Sequence, residues 1–339
     1  MRATKITREM VARHAGVCKQ TVSCYLNKTR GVSKDAAERI ERAIKELNYV
    51  PNMIARGLSQ KRTMSLAVIC DDLGNPNYSE IISGIQKEAN SKSYSILIFD
   101  ISNNRDDVVN QIIARRVDGV ILLTFKDKIG SENIQKLDDN NIKIVVTHSP
   151  GEISDKYMQL EPDFYSGLEE TLLLLQKLGH QDIVMMSYFD LQDTYDTRLR
   201  IFVECYEKIF HRKARYFVDE EKNGATLESG KRLIKKLLLE KDLPTVILTT
   251  NDLMAIGMLK YLTKKHRAGE FSIIGFDNML FDDYVFPSLS SIGYDKNIYG
   301  KKLVKMFLSS YAGEEARVDY VGTKLFQRES IYDIHTDPV

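Results

Sequence analysis

The sequence predicts two unlike parts: an all-α helix-turn-helix head with a hinge helix behind it, and an α/β core of two doubly wound lobes. Three observations carry this. The first 62 residues hold 14 Lys and Arg against 5 Asp and Glu, and the remainder holds 34 against 42. Before residue 50 apolar residues recur at helical spacing, and from Ser65 short apolar runs alternate with amphipathic stretches. A length of 339 residues exceeds one ordinary core and suits two or three domains.

Composition narrows the class. With 43% hydrophobic and 28% charged residues, 19 Gly and 7 Pro, the chain is neither disordered nor collagen-like. No run approaches the ~18 apolar residues of a membrane span. The start, MRATKITREM, lacks the apolar segment of a secretory signal. Cys18, Cys24, Cys70 and Cys205 form no CxxC pair, so reduced cytoplasmic thiols are expected rather than a disulfide framework or a zinc site. A basic head on an acidic body points to a nucleic-acid module joined to something else.

The head reads element by element. Thr7 is an N-cap, and Met10, Val11 and Ala15 follow at helical spacing. Ala15-Gly16-Val17 breaks the helix, Gly16 being free to take a positive φ. A second helix from about Lys19 to Leu26 buries Val22 and Leu26 and turns Lys19, Gln20, Thr21 and Ser23 outward. A third runs from the Ser33 cap to about Leu47, with Ile40, Ala43, Ile44 and Leu47 inward. This is the helix-turn-helix plan, whose second helix fits the major groove of double-stranded DNA. Pro51 opens a further short segment, Asn52–Ser59, too short to hold as a helix alone and weakened by Gly57.

From Ser65 the runs SLAVICDD, YSILIFDI, DGVILLTF and IKIVVTH read as strands separated by helices. A second series from about Asp163 continues through DIVMMSYF, ARYFV, TVILTTND and FSIIGFD, then SLSSIGYD, a last helix and a closing strand around TKLFQRES. Alternation of this kind implies parallel sheets with right-handed crossovers. Ligands bind beyond the carboxyl ends of such strands, which places Asp72, Thr124, His148, Ser187, Asn251 and Asp277 around one cleft. Polar groups there suit a small polyhydroxylated or polar molecule.

The runs A-G-V-x-x-x-T-V-S-x-x-L-N and N-Y-x-P-N-x-x-A-R-x-L resemble the head of the LacI/GalR family of bacterial regulators. In the core, D-D-L-G-N-P-N-Y, D-G-V-I-L, T-N-D-L-M-A-I-G, I-I-G-F-D-N and P-S-L-S-S-I continue the likeness over essentially the whole chain. The resemblance implies a periplasmic-binding-protein-like core. It implies a head at 1–50, a hinge at 51–62 and a ligand-binding and dimerisation core at 63–339. The N-lobe would take about 63–162 and 293–323, the C-lobe about 163–292 and 324–339. Lys19 and Gln20 would read bases. Thr7, Thr21, Ser23 and Asn27 would contact DNA around them, chiefly as phosphate holders. Asn52, Ala55 and Arg56 would form a minor-groove hinge with Leu58 as a wedge. Arg200 would clamp ligand hydroxyls or a carboxylate, Asn251 and Asp277 would bond ring hydroxyls, and Tyr78 and Tyr294 would stack on a sugar face.

Departures matter too. Cys18 stands where the family has a Ser cap, expected to weaken the helix by about 1 kcal/mol. Cys24 replaces a usual Arg, removing a guanine contact worth about 1–3 kcal/mol of discrimination. Six positions apart on one helix, these two cysteines cannot bridge in place. Val203 replaces a Gly and is expected to narrow the ligand wall, and His148 stands where relatives have an acid.

Catalytic motifs are missing. Gly224–Arg232 imitates a P-loop but has five residues between its glycines and Arg where Ser or Thr must hold magnesium. The six histidines show no metal spacing, and His180 reads as structural. No cofactor is expected. The expectation is a cytoplasmic repressor of carbohydrate-utilisation genes, binding a palindromic operator as a homodimer and answering to a small effector, a sugar. A regulator activated by a corepressor or phosphocarrier is the alternative, and a solute-binding protein a distant one. Without leucine heptads after the closing strand, a dimer is expected over a coiled-coil tetramer.

Overall fold

The computed structural model describes residues 6–26, 31–50, 62–101, 104–124, 126–147, 156–193, 196–221 and 224–333. The chain divides into two compact units, Met1–Met64 and Ser65–Val339.

In the first unit, α1 (Arg8–Ala15), α2 (Lys19–Leu26) and α3 (Lys34–Glu46) form the head. Thr7 caps α1 by accepting from the Met10 amide at 3.3 Å, and Ser33 caps α3 through the Ala36 amide. Gly16 ends α1 at φ 63°, ψ 37°, a left-handed conformation that side chains resist, and so turns the chain into α2. Helices this short are marginal alone, so their stability comes from a shared core of Val11, Ala12, Ala15, Val22, Ile40, Ala43 and Tyr49. Arg39 donates to the Ala15 carbonyl at 3.3 Å, and His14 Nε2 lies 2.5 Å from Glu46 Oε2, tying α1 to α3.

The second unit contains two six-stranded sheets. One is built from β1 (Ser65–Cys70), β2 (Ser95–Asp100), β3 (Gly119–Leu123), β4 (Lys143–Thr147), β5 (Met158–Asp163) and β11 (Val318–Gly322). Its order is β2-β1-β3-β4-β5-β11, with every neighbouring pair parallel. The other contains β6 (Ile183–Ser187), β7 (Arg215–Val218), β8 (Val246–Thr249), β9 (Ser272–Asp277), β10 (Ser290–Gly293) and β12 (Lys324–Phe326). It repeats the plan as β7-β6-β8-β9-β10-β12, with β12 alone antiparallel to its neighbour. The expected head and two α/β lobes are therefore present.

Central strands such as β3 and β6 are buried throughout, as sheets covered on both faces require. Two strands, β5 and β11, were not expected. Their sequences MQLEPD and VDYVG carry charge and proline and lack a sustained apolar run. The chain passes between the sheets after β5, after β10 and between β11 and β12.

Two helices of the first lobe, Pro76–Ser91 and Lys296–Ala312, approach very closely. A Cβ on Gly84 would stand 2.8 Å from the Lys296 carbonyl, and one on Gly300 would stand 2.5 Å from the Ile85 nitrogen. Only glycine permits this packing, and it brings Lys296 beside Glu80. The His180 ring donates through Nε2 to the Tyr332 carbonyl at 2.7 Å and meets Thr245 Oγ1 at 2.9 Å, the structural role expected of it.

Candidate functional site

The head presents one reading surface. Val22 anchors α2 in the core, while Lys19 and Gln20 are exposed and Thr21 and Ser23 half-buried. Cys18 lies at the mouth of this helix, its sulfur 3.0 Å from the Thr21 hydroxyl. That hydrogen bond holds the Cys18 thiol below its ordinary pKa. The sulfur thus meets a side-chain hydroxyl of the first turn of α2. Neither Cys18 nor Cys24 takes part in a disulfide among the described residues. Asn27 lies outside the described residues, as do Asn52, Ala55, Arg56 and Leu58 of the hinge.

The second candidate site is a cavity of about 770 Å³ at the carboxyl ends of the strands of the second unit. Asp72, Tyr78, Arg200, Asn251 and Asp277 all line it, so five of the eight expected ligand residues meet there. Thr124 and Tyr294 do not line it, and His148 lies outside the described residues.

Thr124 is a correction with a clear cause. It is 2% exposed and its hydroxyl donates to Asp71, so it orients that carboxylate from below. Asp71 also accepts from Tyr78 at 3.4 Å and stands 2.8 Å from Lys128 Nζ. Burial first, and then the neighbouring Asp71, pushes the Tyr78 hydroxyl well above its usual range. Tyr294 is the second correction. Only 3% exposed, it packs on Tyr299 at 4.7 Å between ring centroids and offers no face to the cavity. Val203 is the third, since it packs against the core of its own lobe instead of narrowing the wall.

The cavity floor holds an ion cluster that the sequence reading missed. Arg198 grips Asp196 through its fork, with Nε 3.0 Å from Oδ1 and Nη2 2.5 Å from Oδ2. Its Nη1 reaches Asp277 Oδ1 at 3.4 Å, and its guanidinium lies over Phe164, 5.3 Å from the ring centroid. Burial opposes this charge, but Asp196 and Asp277 outweigh it and raise the guanidinium above its ordinary value. Arg200, two residues on, is exposed and has no hydrogen bond or ion pair among the described residues. Of the cations lining the wall, it is the one without an ion pair among the described residues. A signal for Arg198 did exist: an aspartate two residues before it, in D-T-R, forms a side-chain clamp at the helix start.

Asn251 caps the helix Asp252–Lys264, accepting from the Met254 amide at 2.9 Å and donating to the Ala225 carbonyl at 2.7 Å. Asp277 and Asn278 sit at φ 109° and 53°, where non-glycine residues carry strain. Lys296 Nζ holds this turn by donating to both carbonyls, at 2.5 and 2.8 Å.

Comparison with known proteins agrees with this architecture. Residues 9–52 match the description "Bacterial regulatory proteins, lacI family", and residues 173–331 match a periplasmic binding protein-like domain. The HTH-type transcriptional repressor PurR of Histophilus somni strain 2336 is 26% identical over 331 residues, covering 95% of this chain and 97% of that one. PurR of Proteus mirabilis strain HI4320 is 28% identical over 337 residues, covering 95% and 96%. Among solved structures, the lac repressor dimer bound to operator and the anti-inducer ONPF aligns with a TM-score of 0.75 at 23% identity, covering 96% of this chain and 99% of that one. The transcriptional regulator CelR–cellobiose complex aligns at 0.69 and 22% identity, covering 96% and 100%. The chain thus carries a lacI-type head and a periplasmic-binding-protein-like domain, and over nearly its full length it is similar to bacterial transcriptional repressors of the LacI family.

Proposed function

We propose that the chain is a homodimeric repressor of carbohydrate-utilisation genes, each head reading one half-site of a palindromic operator, and that a small hydroxylated effector, a sugar, in the cavity alters its hold on DNA. The observation that carries this is the pairing of an exposed Lys19–Gln20 surface with a polar cavity in which Arg200 awaits a partner. Relatives named as repressors and a structural neighbour described as a dimer on operator support the same reading. Leu58 would act as the minor-groove wedge, with Asn52, Ala55 and Arg56 around it.

Two-fold DNA asks for a two-fold protein. Leu280, Phe281, Tyr284 and Phe286 are 60%, 52%, 79% and 80% exposed, an apolar surface suited to a second copy of the chain. Light scattering on a Tyr284→Asp, Phe286→Asp variant should show a monomer; a persistent dimer would place the interface elsewhere.

The function itself is tested by selecting fragmented genomic DNA on the purified protein and sequencing what is retained. A recurring palindrome beside carbohydrate genes is the expected result. Retention without any shared sequence would remove the regulator reading.

A further inference from the structure

The cavity's charge says more about its occupant than its size does. Its lining carries seven Asp and Glu against Lys128, Arg198 and Arg200, a formal balance of −4. Two of the three cations are already committed. Lys128 Nζ stands 2.8 Å from Asp71, and Arg198 is held by Asp196 and Asp277. Arg200 remains, but Glu204 stands one helical turn further on, also exposed and also lining the cavity.

Several of the carboxylates have no cation opposite them among the described residues. Asp72 is exposed and accepts only from the Gly74 amide of its own loop, at 2.7 Å. Asp163 accepts from Ser166 as a helix cap. Ionised carboxylates accept hydrogen bonds and cannot donate them. A ligand in this cavity must therefore bring donors.

The walls add Tyr165, Tyr188, Phe189 and Tyr320, whose faces suit both the apolar side of a sugar ring and a cationic group.

We infer that the cavity takes a hydroxylated ligand of neutral or positive charge, such as a free sugar or an amino sugar, and rejects phosphorylated and carboxylated compounds. This rests on the reading of the cavity as the effector site and goes on to set the sign of the effector's charge. Like charges brought together across a binding surface cost enough to make discrimination steep.

The test uses the full-length chain and matched sets of compounds: free monosaccharides, their amino analogues, their phosphate esters and their uronic acids. Binding is read by thermal-shift titration. Among compounds that bind, the neutral or amino member should be preferred over its phosphate ester by at least about 100-fold. An Asp72→Asn, Glu204→Gln variant should narrow that gap by about tenfold. A phosphate ester or uronic acid that binds as tightly as its neutral parent overturns the charge rule while leaving the effector site in place. A set in which nothing binds counts against the site as a receptor for hydroxylated molecules, and the inference falls with it.

Discussion

Lys296 Nζ lies 3.6 Å from Glu80 Oε2 while it donates to the carbonyls of Asp277 and Asn278. Glu80 in turn accepts from the Leu280 amide at 3.0 Å. Lys296 and Glu80 belong to helices of the first lobe, whereas Asp277 and Leu280 belong to the second. One ammonium thus ties a cavity residue to the opposite lobe. Lys296→Met should lower stability by about 2–4 kcal/mol, because strained carbonyls lose their donor and Glu80 its cation. Urea unfolding measures the loss. The variant should also blunt the ligand's effect on operator affinity, and an unchanged response would separate this tie from the coupling.

Arg198 and Arg200 should behave in opposite ways. Arg198→Ala leaves the buried Asp196 and Asp277 carboxylates without the cation they share and should cost about 3–5 kcal/mol. Arg200→Ala removes an exposed side chain and should shift stability by no more than about 0.5 kcal/mol. It should nevertheless abolish the ligand response with operator binding intact. Paired melting curves and binding titrations would expose any reversal of these roles.

Beneath the cavity, Asp252 and Asp282 place two carboxyl groups together. Ser291 and the Met279 amide donate to Asp252 at 2.7 and 3.0 Å. Burial pushes Asp282 up to about 7 against the opposing pull of Asp252's hydrogen bond and Arg328, and raises Asp252 well above the carboxylate range. The folded chain therefore keeps a proton that the unfolded chain releases near pH ~4. Stability should fall as pH rises from about 4 through about 7, by on the order of a few kcal/mol. Asp282→Asn should flatten that slope. Denaturant midpoints measured at about pH 5 and about pH 8 decide it, and a variant as pH-sensitive as the parent would clear Asp282.

In the head, Gln20→Ala should relax base preference at one position per half-site by about 1–3 kcal/mol. Leu58→Ala should weaken specific binding and spare non-specific binding. Selection and sequencing of bound oligonucleotides would report both, and an unaltered site profile would remove Gln20 from the readers.

Legibility in the sequence tracked apolar patterning. The three head helices and ten of the twelve described strands stand out because each carries a run of apolar residues at the matching period. MQLEPD and VDYVG escaped because charge and proline interrupt their apolar runs, although β5 is buried along most of its length. Missing those strands hid Gln159, Glu161 and Tyr320, which all line the cavity. Strand-end logic placed Asp72, Asn251 and Asp277 but overreached at Thr124, whose hydroxyl turns down to Asp71. Family position singled out Arg200 and overlooked Arg198, whose one sequence signal was the aspartate two residues before it; its tie to Asp277, 79 positions away, exists only in the folded chain.

The passage of the chain between lobes has a consequence for synthesis. Leu66, Val68, Ile121 and Val145 alternate with the residues of one core cluster, so they face the sheet's other side, against which the helix Lys296–Ala312 packs. Tyr299 of that helix donates to the Leu160 carbonyl, and Phe307 covers Gly119. The first lobe to leave the ribosome thus stays unclosed until nearly the whole chain has been made. Until the final helix and β11 emerge, an apolar sheet face and the open edge of β5 wait in solution, the condition under which nascent chains aggregate or recruit chaperones.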